Sequence, residues 1–261
     1  MAFSLESISR HNTLKAPIVV LHGVPGVGKT TFAAGAPNVI FIDIEDGLGV
    51  NVVDKFPQPK TFQDVLDCIE ALGKGDHDYQ WLGIDSLSSM QKLVFDAVCE
   101  EHGKNSIEDF GYGKGYVHAM EKFKLFFDYV ADLRDYKKMG VVMIAHTDAT
   151  TFKNPEGDDY DKYFVDLDKR AQKLMVRESD VIGFFNYKTF VKKQESDDRK
   201  GKAIDGGRIL YLEEKPAFTA KNRYQFPASI TIPNAPENPW GPFQSLLDKA
   251  LSVTKTEIQA A

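Results

Sequence analysis

Residues 21–32 read LHGVPGVGKTTF, and this stretch decides the fold. Gly23, Val24, Pro25, Gly26, Val27, Gly28, Lys29 and Thr30 fill the spacing G-x-x-x-x-G-K-[ST], and Thr31 opens a helical run. A β-rich run, Ile18 to His22, precedes it. Glycines let the backbone take conformations closed to other residues and bring N–H groups up to phosphate oxygens. A lysine in this position reaches the β- and γ-phosphates, and the hydroxyl after it serves Mg²⁺. Strand, bare loop and helix in this order predict a nucleotide triphosphate site.

The rest of the chain sets limits. It has 261 residues, 43% of them hydrophobic and 27% charged, enough for one large α/β domain or two small ones. No apolar run approaches the ~20 residues of a membrane helix, and MAFSLESISRHNTLK lacks the basic start and apolar core of a secretion signal. A cytoplasmic protein with no membrane partner is expected. Cys68 and Cys99 both fall in apolar helical patterns, as buried free thiols do. A net charge of −6 argues against coating nucleic acid by bulk attraction but leaves room for a local basic groove.

Periodicity and breakers predict strands at 17–22, 38–44 (NVIFIDI), 80–85 (QWLGID) and 140–146 (GVVMIAH), with helices at 61–72, from 85 to about 102, and 116–138. A polar loop, 147–164, leads to a short helical stretch. DVIGFFNY and RILYLE read as later strands flanking a charged connection, and a helix at 243–253 closes the chain. Alternating strands and helices imply a mostly parallel sheet. The expected division is an N-terminal segment 1–16, a candidate for subunit contacts, then a core 17–232, then a proline-rich linker and helix 233–261.

Two further strand ends carry acids. Asp85 ends WLGID and suits the second Mg²⁺ position, or caps the following helix together with Ser86. FIDIEDG offers Asp43, Glu45 and Asp46. Glu45 lies past the strand tip, where a carboxylate can face the γ-phosphate, while Asp46 reads equally as a solvated turn acid. His146, ending MIAH, either senses the γ-phosphate or merely terminates a strand.

Taken together, Gly23–Thr30, FIDIEDG, LGIDSLS, DFGYGKGY and MIAHTD resemble the RecA-like recombinases. More closely, they resemble the phage nucleotide-binding proteins of the AAA type that act as RecA-like single-strand annealing ATPases. The resemblance spans residues 17 to about 230. It implies a RecA-like P-loop NTPase fold with a mostly parallel sheet flanked by helices and antiparallel strands added toward the C-terminus. It also implies ATP and Mg²⁺ as cofactors, DNA-stimulated ATP hydrolysis in recombination or annealing, binding of single-stranded DNA, and assembly into rings or filaments. A single-stranded DNA-binding protein is a further candidate partner. Carried onto this chain, Lys29 and Thr30 hold phosphate and Mg²⁺, Glu45 is the catalytic base, Asp85 the second metal acid and His146 the sensor. TAKNRYQFP resembles the K-x-R finger of RecA-like hexameric helicases, so that Lys221 and Arg223 reach a neighbour's γ-phosphate. Two solvated bases on a surface hairpin are the alternative.

RecA-like proteins place DNA on two loops. The first corresponds to GKNSIEDFGYGKGY, 103–116, where Phe110, Tyr112 and Tyr116 alternate with glycines and Lys114; aromatic faces stack bases. The second, 147–164, holds five acidic residues against Lys153 and Lys162, a poor phosphate track. Between 188 and 208, Lys192, Lys193 and five other bases outnumber four acids, which suits either a DNA-lining hairpin or a solvated one. Lys169, Arg170 and Lys173 form another basic cluster. Two other classes stay open. One is a small-molecule phosphotransferase, for which no compact arginine-rich lid is found. The other is a nucleotide-switched loader of a replication or recombination partner.

Overall fold

The computed structural model describes residues 14–194 and 197–259, and side chains within these except at 189–206 and 253–259. The expected N-terminal segment therefore lies mostly outside the described residues, as do the side chains of Lys192 and Lys193.

The elements run β1 (Ile18–Gly23), α1 (Lys29–Ala34), β2 (Val39–Asp43), β3 (Asp54–Lys55), α2 (Phe62–Lys74), β4 (Trp81–Asp85), α3 (Leu87–Glu101), α4 (Lys114–Lys137), β5 (Gly140–Ile144), β6 (Thr147–Phe152), β7 (Tyr160–Val165), α5 (Lys169–Glu178), β8 (Val181–Gln194), β9 (Asp197–Tyr211), β10 (Lys221–Asn222), β11 (Ser229–Ile232) and α6 (Gly241–Gln259). The main sheet has the order β11-β9-β8-β1-β5-β4-β2-β3, and β10 pairs with β8. From β3 through β8 the pairings are parallel; β9, β10 and β11 add antiparallel. The mixed α/β architecture with a mostly parallel centre and late antiparallel strands is the one the sequence predicts.

The parallel strands read as continuous apolar runs because both faces are covered. Alternation then sorts their side chains. Ile18, Val20, Ile40, Ile42, Leu82, Ile84, Val141 and Met143 join one core with helices α2 to α5. Val19, Leu21, Val39, Phe41, Trp81, Val142 and Ile144 join the other with Phe32 of α1 and Trp240 and Phe243 at the start of α6. Trp240, Phe243 and Leu247, from the segment after residue 232, are thus part of the second core. Both cysteines are free thiols, and burial pushes the Cys68 thiol up to about 11. Among the described residues no helix is long and apolar enough to cross a membrane.

Three segments differ from expectation. The polar loop 147–164 is a hairpin, β6 on β7, in register from Thr147 opposite Val165 to Phe152 opposite Tyr160. Its threonines and aromatics suit a pleated surface, and that outweighs the acidic tip. Lys162 is buried against Glu214 at 2.6 Å, with Phe152 and Phe164 each 5.5 Å from its ammonium. Second, the charged stretch 188–207 is no separate connection, because β8 and β9 run into it and pair antiparallel. Third, β5 stops at Ile144, so His146 stands just beyond its end.

Candidate functional site

All the parallel strands end at one edge of the sheet, where ligands of open α/β sheets bind. The register aligns Asp43 with Asp85 and Asp85 with Ile144, and Leu21 with the same Ile144. The β1–α1 turn, the acids of β2 and β4 and the end of β5 therefore converge. Notably, β5 lies between β1 and β4, so Lys29 and Asp85 reach each other's neighbourhood across one intervening strand.

In the β1–α1 turn, Gly23 packs so tightly on β8 that a Cβ there would fall 1.9 Å from the Phe185 carbonyl oxygen. Gly28 takes the left-handed conformation at φ 93. Val27 is buried as an anchor, whereas Pro25, Gly26 and Thr31 are exposed. Among the described residues the backbone N–H groups of Gly26, Val27 and Gly28 find no acceptor in the chain. They are free for an external anion. Lys29 Nζ donates to the carbonyls of Gly23 at 2.9 Å and Val24 at 3.3 Å. Burial lowers its pKa, against the opposing pull of Asp85 and Glu45.

Thr30 Oγ1 donates to Asp85 Oδ2 at 2.8 Å. Burial raises the Asp85 pKa, the Thr30 hydrogen bond opposes this, and the Glu45 and Asp43 charges add to it. A hydroxyl and a carboxylate side by side are the hard oxygen donors that Mg²⁺ takes, so these residues fit that ion. The Asp85–Ser86 peptide is cis, and Ser86 caps α3 by accepting from Ser89 N at 3.1 Å.

Glu45 extends from the end of β2, its backbone N–H donating to the Asp85 carbonyl at 3.2 Å. Its carboxylate Oε1 accepts from Ser86 Oγ, from Ser89 Oγ at 2.5 Å and from His146 Nε2 at 2.8 Å. Burial pushes its pKa up, but these three hydrogen bonds together outweigh it and hold the carboxyl below its usual range. His146 is itself fixed by Ser88 Oγ, which accepts from its backbone N–H at 3.0 Å. Asp43 is buried and does something else. It accepts from Gly47 N at 2.9 Å and pairs with Lys55 at 3.2 Å, fixing the turn that carries Glu45. Asp46 also meets Lys55, at 3.3 Å.

Just under the loop, His22 is fully buried and its pKa is lowered to about 4 by burial. Its Nε2 lies 2.7 Å from the Thr219 carbonyl, which can only accept, so Nε2 carries the proton. Nδ1 then accepts from Thr147 Oγ1 at 3.1 Å. The residue after His146 is in this way tied to the residue before Gly23.

Other predicted site residues lie apart. Lys221 and Arg223 sit at the start of β8, where β10 pairs with Val181 and Ile182, at the opposite edge of the sheet from Gly23. Lys221 Nζ donates to the Val176 and Ser179 carbonyls, and Arg223 bonds Asp180 at 3.1 Å and the Arg177 carbonyl at 2.9 Å. Both are engaged at the C-terminus of α5, where cations are favoured. In the 103–116 loop, Phe110 packs against His102, and Tyr116 packs edge-on against Phe95 while its hydroxyl donates to Glu108. Tyr112 is fully exposed and Lys114 is exposed at the start of α4. Of the loop's four candidates these two are exposed, whereas Phe110 and Tyr116 are half-buried.

Several participants escape a sequence reading. Ser86 and Ser89 look like helix-capping serines and also hold Glu45. Tyr187, whose hydroxyl donates to the Gly26 carbonyl at 3.2 Å, and Arg208, whose guanidinium lies against Gly28, come from β8 and β9 far along the chain. No local motif marks them.

A family model described as an AAA domain matches residues 15–224, most of the chain. No curated protein matches it.

Proposed function

The chain belongs to the AAA domain family of P-loop NTPases, and from that premise we propose that it hydrolyses ATP with Glu45 as the group that orients and deprotonates water. The observation carrying this reading is the Glu45 carboxylate, held by Ser86, Ser89 and His146 directly beside the Thr30–Asp85 pair. A mere nucleotide-binding site has no use for a carboxylate kept ionised at that place.

The steps follow from the residues. The triphosphate is received by the free N–H groups of Gly26, Val27 and Gly28, and the Lys29 ammonium leaves the Gly23 and Val24 carbonyls for its β- and γ-phosphates. Thr30 and Asp85 would hold Mg²⁺, which neutralises phosphate charge when bound. Glu45 accepts a hydrogen bond from the attacking water and takes its proton as the new P–O bond to the γ-phosphorus forms and the bond from that phosphorus to the β–γ bridging oxygen breaks, releasing ADP and phosphate. His146 donates to Glu45 before the reaction and, on nucleotide binding, releases it. Because His146 adjoins β6, that release reaches the β6–β7 hairpin.

We further propose single-stranded DNA as the partner in recombination or annealing, bound by a ring or filament of this chain. Tyr112 between two glycines, with Arg170, Lys173 and Arg177 exposed along α5, supports this reading through base stacking and phosphate charge. The test is phosphate release with and without oligo-dT, for wild type and Glu45→Gln. DNA-stimulated turnover lost in the variant supports the whole reading. Turnover indifferent to DNA leaves an ATPase with another partner, and phosphate transfer to a small molecule in place of water refutes hydrolysis.

A further inference from the structure

Arg208 is the one arginine among the described residues that stands against the nucleotide loop. It lies on β9 opposite Tyr187 of β8. Paired residues on neighbouring strands face the same way, and Tyr187 reaches the loop through its hydroxyl on Gly26 O at 3.2 Å. Gly28 has no side chain, and a Cβ built there would lie 2.6 Å from Arg208 Nη1. The guanidinium thus fills the space that the bare glycine leaves beside the loop.

The local chemistry of this arginine is unfinished. Nη2 donates to the Pro233 carbonyl, and the guanidinium carbon lies 5.9 Å from the centre of the Phe185 ring. Nε is buried with no hydrogen-bond partner. Among the described residues no carboxylate pairs with it. A guanidinium is always charged and carries five N–H donors in a planar fork. A partly buried guanidinium whose Nε has no acceptor gains from a ligand of opposite charge. The adjacent place for such a ligand is the loop, whose N–H groups at Gly26, Val27 and Gly28 have no acceptor.

We propose that Arg208 is a nucleotide-binding residue supplied in cis, donating from its Nη1 face to the polyphosphate of the bound nucleotide beside Gly28. The inference rests on the reading of residues 23–30 as a nucleotide site but goes beyond it. It gives the pocket a cation from the same chain, on the side opposite Asp85, whereas Lys221 and Arg223 are engaged elsewhere. Phe185 and the Pro233 carbonyl hold the fork in orientation. Tyr187 closes the loop's outer side.

The test is binding of fluorescent ADP and ATP to the full chain by anisotropy, with tripolyphosphate as competitor, for wild type, Arg208→Gln, Arg208→Lys and Lys29→Ala. A charge-assisted hydrogen bond contributes enough that Arg208→Gln is expected to weaken both nucleotides by ~10-fold to 100-fold. Tripolyphosphate, which has no base or ribose, weakens by the same factor. Arg208→Lys recovers part of the loss because charge persists without the fork. Thermal melting of each variant without nucleotide separates a binding loss from a folding loss, and Arg208→Lys keeps the question answerable if Arg208→Gln melts early. Wild-type affinity in a folded Arg208→Gln overturns the proposal, as does a loss for nucleotides with none for tripolyphosphate. If wild type and Lys29→Ala bind alike, it is the nucleotide reading itself that fails.

Discussion

Glu45 Oε1 and His146 Nε2, 101 residues apart in the chain, meet at 2.8 Å beyond the ends of two parallel strands. With Ser86 and Ser89 donating to the same oxygen, the carboxylate is ionised and fixed but fully occupied on that oxygen, so the base proposed above must shed a partner before it can take a proton from water. Glu45→Gln keeps the shape and loses the proton acceptor. Its ATP turnover is expected to fall by ~10²-fold to 10⁴-fold, the usual contribution of a general base, while affinity for ATP stays near the wild-type value. His146→Ala is expected to slow turnover less. Stopped-flow phosphate release and equilibrium nucleotide binding measure the two separately; equal losses in both would refute the role of Glu45 as base.

Asp85, proposed above for Mg²⁺, sits where its own ionisation is opposed. Only 4% of it is exposed, burial raises its pKa, and the Glu45 and Asp43 charges oppose its ionisation. Asp85→Asn removes that repulsion and leaves the Thr30 hydroxyl a partner. The nucleotide-free variant is expected to melt no lower than wild type, and higher by ~2–4 °C for each kcal/mol of relieved strain at this chain size. The same substitution is expected to abolish the extra thermal stabilisation that Mg²⁺ gives in the presence of ATP. Scanning calorimetry with and without Mg²⁺-ATP reads both, and a strongly destabilised empty variant would contradict this account of Asp85.

How legible this site is depends on distance along the chain. The glycine loop and Glu45 follow strands and Asp85 ends one, so local spacing places them, and the alternation of Ile18, Val19, Val20 and Leu21 between two cores is what a strand buried on both faces requires. The hairpin 147–165 is misread because its acids are counted as loop signals while Phe152 packs on Tyr160 and Phe164, and Lys162 lies over Phe152 and Phe164. Lys221 and Arg223 are singled out by motif likeness alone, and within the chain they cap the α5 terminus. Arg208 has no sequence signal, since its contact with Gly28 exists only once β9 has paired with β8.

His22 gives the fold a pH dependence of known sign. Buried among Thr147, Thr219 and the Phe184 ring, with the Lys29 charge nearby, it is neutral in the native chain, its pKa lowered from 6.5 to about 4. Unfolding restores the ordinary value, so between these limits the unfolded chain binds the extra proton. The His22 contribution is fully present above pH 6.5 and is lost as pH falls toward 4, reaching about 3 kcal/mol at most. Denaturant titrations of wild type and His22→Gln across that window are expected to converge toward low pH. Parallel curves would show that His22 is not the titrating group.

Trp240 tests whether the chain after residue 232 belongs to the nucleotide-binding core. It is 1% exposed and lies edge-on to Trp81 at 4.7 Å, with Phe32 and Phe243 each at 4.9 Å. Its indole N–H donates to Gln244 at 2.9 Å. Trp81 begins the strand that ends in Asp85, and Phe32 lies two residues after Thr30, so both walls of this aromatic cluster continue directly into the site. Trp240→Ala removes a large buried ring and is expected to cost ~3–5 kcal/mol, lowering one cooperative transition together with nucleotide affinity. Trp240→Phe is expected to recover much of both, since it refills part of the cavity. A variant that melted in two steps, the first leaving nucleotide binding intact, would instead make residues 233–261 an independent appendage.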